Sequence, residues 1–306
     1  MFGRPLAPPL SALLTQLLVA VLTGLAACSA PPPATPGPTP VAPGGARPTS
    51  QPGTSAGTSG GTSPTAQATP AAPPAPVWRV GATPLPLRPD GFGQILPTPP
   101  VLADRHLPSA DLLPPPAGSR YASTVAPVPP AVLARSTWRP GCPVTAAELR
   151  YLTMSFWGFD GRPHTGEMIV NARFANAVTT VFGTLFQARF PIEEMRVTGP
   201  AELDAPPTGD GNNTTAFVCR AAVTLTQWSA HASGLAVDVN PFCNPYVKGS
   251  LVLPELASSY VDRRKVRPGM VFARDATVRA FASIGWSWGG DWTSPKDLQH
   301  FTATGH

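Results

Sequence analysis

Charge is scarce in this chain: only 13% of its 306 residues are Asp, Glu, Lys or Arg. The 22 basic and 17 acidic residues leave a net charge of +5 without any dense Lys/Arg run. That pattern describes a mildly basic surface and argues against a nucleic-acid partner. Histidine is rarer still, at five residues. The four cysteines include no C-x-x-C spacing, which removes a cysteine-built zinc site from consideration. No internal repeat occurs. Regular βαβ alternation is missing too, so the expected class is α+β, one domain with a mainly antiparallel sheet and flanking helices.

Proline, by contrast, is abundant at 42 residues, so part of the chain has a composition that does not build a core. Residues 1–28 carry Arg4 ahead of the apolar run "LSALLTQLLVAVLTGLAAC", the pattern of a secretory signal and not of a retained spanning helix. Its end, "LAAC", resembles a bacterial lipobox. Cys28 would then be lipidated and anchor the mature chain to the membrane; the alternative is an ordinary signal with an incidental cysteine. Residues 29–76 have almost no large apolar side chain and read as a disordered tether, unable to offset ordering entropy. Residues 77–121 read as an irregular proline-rich arm lying on the domain, and 122–306 are long enough for one core. Outside the cytoplasm a disulfide is permitted. Cys142–Cys219 is the expected pair, with Cys243 left free.

Within 122–306 the elements are legible. Thr145-Ala-Ala-Glu148 is a capping box opening a short helix. "LRYLTMSFWGFDGRPHTGEMIVN" reads as two strands around a glycine-containing loop. Asn171 is placed to cap a helix whose Phe174, Ala177, Val178, Val181, Phe182 and Leu185 form a core stripe. A second helix runs from Asp275 to Ile284, with Gly285 as its stop.

The histidines then matter by position. In "SAHASGLAVDVNPF", Leu235, Val237 and Val239 alternate as the core face of a strand, which projects Asp238 from the other face. Gly234 allows a turn that brings His231 back towards it. A zinc site and a buried His–Asp pair both fit that geometry. "GWSWGGDWTSPKDLQHF" supplies a second pair, Asp297 and His300. Catalytic zinc takes three protein ligands and keeps one position open. His231, Asp238 and His300 would make three, leaving Asp297 as general base.

Together with "NNTTAFVCR", "GFDGRPHTGEMIVN" and "FPIEEM", these stretches resemble the zinc D-alanyl-D-alanine carboxypeptidases and L-alanyl-D-glutamate endopeptidases, which share a Hedgehog-type fold. The resemblance covers roughly 143–306. It implies one zinc ion on His231, Asp238 and His300, Asp297 as catalytic base, and Arg220 steadying the charge on the attacked carbonyl. One departure is Ser233, where the family pattern leads us to expect an aromatic residue; this touches specificity and not the ligands. Asp291 reads as a turn carboxylate, while His164 and Glu167 read as structural or groove residues. His106 is expected exposed, and His306 is assigned nothing. Trp286, Trp288 and Trp292 read as packing around the Gly-Gly turn, or as groove lining. Ser229 is expected to orient the site.

The expectation is therefore a monomeric, extracytoplasmic, lipid-anchored zinc peptidase facing the cell wall and cutting peptidoglycan stem peptides. The competing reading is a non-catalytic module that keeps the fold and binds wall peptide or a protein partner. Retention of both Asp297 and Arg220 favours the enzyme. A solute-capturing lipoprotein is disfavoured, because two hinged lobes need more ordered chain.

Overall fold

A computed structural model describes residues 78–305. The expected leader 1–28 with its Cys28, the linker 29–76 and His306 lie outside the described residues. Among the described residues no helix is long and apolar enough to cross a membrane.

In chain order the longer elements begin with α1 (Pro100–Ala103), β1 (Ser123–Pro127), α2 (Pro130–Arg135), β2 (Leu149–Trp157) and β3 (Pro163–Asn171). Then come α3 (Ala175–Gln187), α4 (Ala201–Asp204), β4 (Ala236–Asp238), β5 (Tyr246–Lys248) and β6 (Leu251–Leu253). The chain closes with α5 (Ala276–Ser283), β7 (Ser287–Trp288), β8 (Lys296–Asp297) and β9 (His300–Thr302). The class is α+β, and every ladder between these strands is antiparallel. The single expected sheet is instead three small ones, ordered β1-β2-β3, β4-β9-β7 and β6-β5-β8. Short strands that switch partners cannot extend one ladder.

The β2–β3 hairpin is the platform. Leu152, Met154, Phe156, Met168 and Val170 meet the α3 stripe of Val178, Val181, Phe182 and Leu185. Each such side chain fully buried contributes about 1.5–3 kcal/mol. The opposite face is covered as well, with Leu149 and Ile169 packed against Val197, Phe217 and Cys219. Asn171 does not cap α3, because Phe174 holds that position. Its Nδ2 donates instead to the Ser233 carbonyl at 3.0 Å, joining the end of β3 to the turn that carries His231.

Helix α5 begins where expected: the Asp275 carboxylate accepts from the Val278 N–H at 2.8 Å, and Gly285 turns with φ +80°. Its Phe281 stacks on Phe301 of β9 with ring centroids 4.0 Å apart. The core therefore presses directly behind the strand that carries His300.

Residues 78–121 pack as part of the same body. Leu102 is fully buried with Phe242, Leu256 and Tyr260. Arg105, also buried, makes paired 2.6 Å hydrogen bonds to both oxygens of Glu193. Trp78 donates from Nε1 to Asp210 at 2.9 Å. Farther along, Cys142 and Cys219 are disulfide-bonded, and Cys243 is a free, buried thiol.

Candidate metal centre and cleft

Three short pieces of chain meet at one point. Ser229 opens a single 3-10 turn (Ala230–Ser233) by accepting from the His231 N–H at 3.3 Å. Gly234 closes it with φ +64°. A Cβ at Gly234 would lie 2.6 Å from the Asn171 nitrogen, so both the left-handed backbone and the close approach to β3 require glycine. The turn aims the His231 ring inward, where its Nδ1–H donates to the Ala216 carbonyl at 2.6 Å. That bond fixes the tautomer and leaves the Nε2 lone pair facing the centre.

Asp238 and His300 arrive together for a different reason. They are directly opposed in the β4–β9 ladder, and opposed side chains in an antiparallel pair have Cβ atoms about 5 Å apart. His300 Nδ1 lies 3.0 Å from Asp238 Oδ1 and 3.1 Å from His231 Nε2. His231 Nε2 to Asp238 Oδ1 is 3.2 Å. All three residues are buried, and their ligand atoms form the His/Asp group able to hold a metal ion. Ligands bound tetrahedrally at about 2.0–2.1 Å would sit roughly 3.3 Å from one another, so the spacing fits. Burial alone would raise the Asp238 pKa. The two imidazoles that face it outweigh burial and hold the carboxyl well below its usual range.

Asp297 stands beside this group on β8, paired across the ladder with Tyr246. Its Oδ1 is buried with no hydrogen-bond partner, an arrangement that suits an acceptor waiting for a proton. Burial pushes its pKa up to about 7, against His300 and Arg220, with Asp238 adding to the rise. The strand is held by the Gly289–Gly290 turn. A Cβ at Gly289 would meet the Asp297 carbonyl oxygen at 2.6 Å, and one at Gly290 the Trp288 ring at 2.3 Å. Trp288 in turn donates to the Leu298 carbonyl at 2.8 Å.

These residues line a cleft of about 900 Å3. Arg220 opens onto it, one residue beyond the disulfide-bonded Cys219, as do Tyr246, Trp292 and Gln299. The rim includes Leu225 and Trp228, both about half exposed. Of the three tryptophans of the closing motif, Trp286 and Trp288 are core. Only Trp292 faces the cleft, its ring 5.5 Å from that of His300. Ser233 is not among the lining residues.

Other residues singled out in the sequence fall elsewhere. Glu167 is bound by Arg135 and Tyr151, and His164 sits between Asp111 and Asp160. His106 and Asp291 are exposed. Sequence reasoning overlooked Gln299, Trp228 and Glu255. Gln299 lies between two site residues and was findable; the other two carry no local signal.

Residues 223–303 match the family model described as D-alanyl-D-alanine carboxypeptidase. The match takes in His231, Asp238, Asp297 and His300, while Arg220 lies just before it. It spans well under half of the chain and supports a peptidase acting on cell-wall peptides in general. No curated protein and no solved structure matches.

Proposed function

We propose that the chain is a zinc metallopeptidase that hydrolyses peptide bonds in peptidoglycan stem peptides, on a Hedgehog/D-Ala-D-Ala-peptidase type of fold. The observation that carries this reading is the convergence of two imidazole nitrogens and one carboxylate oxygen at 3.0–3.2 Å, beside the partnerless Oδ1 of Asp297.

His231, Asp238 and His300 would hold the ion. When bound, it supplies Lewis-acid activation of water and of the scissile carbonyl. Asp297 accepts the proton released as water attacks, and its raised pKa suits a group that later returns that proton to the leaving amine. The Arg220 guanidinium faces the developing negative charge. Ser229, Ala216 and Asn171 act indirectly, by fixing the turn and tautomer of His231.

Carboxypeptidase cleavage of terminal D-alanine and endopeptidase cleavage after L-alanine both suit this machinery. Lipidation at Cys28 and residence on the outer face of the membrane complete the proposal, with 29–76 as tether. The test is mass spectrometry of a stem pentapeptide incubated with the zinc-loaded protein, with and without chelator. Chelator-sensitive loss of one alanine marks a carboxypeptidase, and a split after L-alanine an endopeptidase. An intact peptide together with intact sacculi would favour the binding module.

A further inference from the structure

Glu255 is a carboxylate in the cleft that the chemistry above does not use. It lines the cleft yet is only 5% exposed. Its Oε1 accepts from the backbone N–H of Gly93 at 2.8 Å, a neutral donor contributed by the arm. Among the described residues no lysine, arginine or histidine pairs with it. A buried carboxylate without a cation is costly unless something compensates it.

The other charges of the cleft lie elsewhere. Asp238 and Asp297 belong to the candidate centre, Arg220 donates to the Ala221 carbonyl at 3.0 Å, and Lys248 donates to Thr224 at 3.0 Å. The position is also set relative to the chemistry. In the β6-β5-β8 sheet, Leu253, Tyr246 and Asp297 share one row. Strands lie about 4.8 Å apart, which puts Leu253 roughly 10 Å from Asp297. Glu255 follows two residues later. An extended peptide advances about 3.3–3.6 Å per residue, so a side chain two or three residues from the scissile bond comes within reach.

We infer that Glu255 is the specificity-determining residue for a substrate ammonium: a primary amine on a peptide residue two or three positions from the cleaved bond. The inference rests on the peptide-substrate reading above and adds to it the class of side chain that is selected.

The test compares two stem pentapeptides that differ only in a free or an acetylated side-chain amine at the third residue. Binding to the zinc-loaded full chain is measured by calorimetry in an Asp297→Ala background, so that turnover does not intervene. The free amine is expected to bind about tenfold tighter, in keeping with one charge-assisted hydrogen bond. Glu255→Gln keeps an acceptor for Gly93 and should collapse that ratio to about one, which a merely structural role would not do. Equal binding of the two peptides while Glu255 is present, absence of binding included, overturns the inference. So does a ratio that survives in Glu255→Gln. Should Glu255→Gln unfold, the ratio with Glu255 present still decides. With Asp297 intact, a persisting preference without cleavage of either peptide sinks the peptidase reading alone; cleavage without preference sinks this one alone.

Discussion

Two ring nitrogens and a carboxylate oxygen within 3.2 Å of one another need a proton or a cation among them. Alanine at His231, Asp238 or His300 should therefore abolish zinc binding, read by metal analysis after dialysis. Asp297→Ala should keep the ion and lower kcat by about 10²–10⁴, the usual contribution of a general base; loss of zinc in that variant would contradict the division of roles. Asp297 also gives a pH dependence. Its pKa of about 7 exceeds the roughly 3.9 of an unfolded aspartate, so folding favours the neutral acid. That stabilisation is complete below about pH 4 and lost as pH rises through about 7. In chelator, the melting temperature should fall from pH 4 to 7 by more than it does in Asp297→Asn. Parallel curves would show that the carboxyl is not held neutral.

At the scale of elements, the site is made by a turn and a two-strand register. Gly234→Ala would force a left-handed backbone on a residue whose Cβ meets Asn171 at 2.6 Å. A cost of about 2 kcal/mol or more should appear in denaturant unfolding, together with weaker zinc binding because His231 rides on that turn. The long elements were legible in the sequence. β2, β3 and α3 each repeat their pattern for nine or more residues. β4, β5 and β7 have two or three residues each, too few to show a period, so their grouping into separate sheets was not. The alternation of Val237 and Asp238 was readable as two faces of a strand, and in the structure Asp238 Oδ1 lies 3.2 Å from His231 Nε2. Asn171 looked like a helix cap because its type suits one; its side chain was claimed instead by Ser233, a contact 62 residues away that no local pattern records.

For the whole molecule, contacts between distant residues decide. Composition suggests an irregular arm lying on the domain, and its prolines conceal that Leu102 and Arg105 are buried. Arg105→Ala should destabilise the protein by about 3–5 kcal/mol, since it strands Glu193 as a buried charge; a loss under 1 kcal/mol in urea would mean the arm is dispensable. The Cys142–Cys219 bond spans 77 residues, and loop closure of that size contributes about 4.5 kcal/mol in the chain-entropy account. Cys219 is also the neighbour of Arg220. A freshly made chain in a reducing compartment would hold two thiols there, and the segment presenting its guanidinium would lack its covalent tether. Oxidation would then act as a licence: the wall of the cleft that carries Arg220 is tied down only once the Cys142–Cys219 bond has formed.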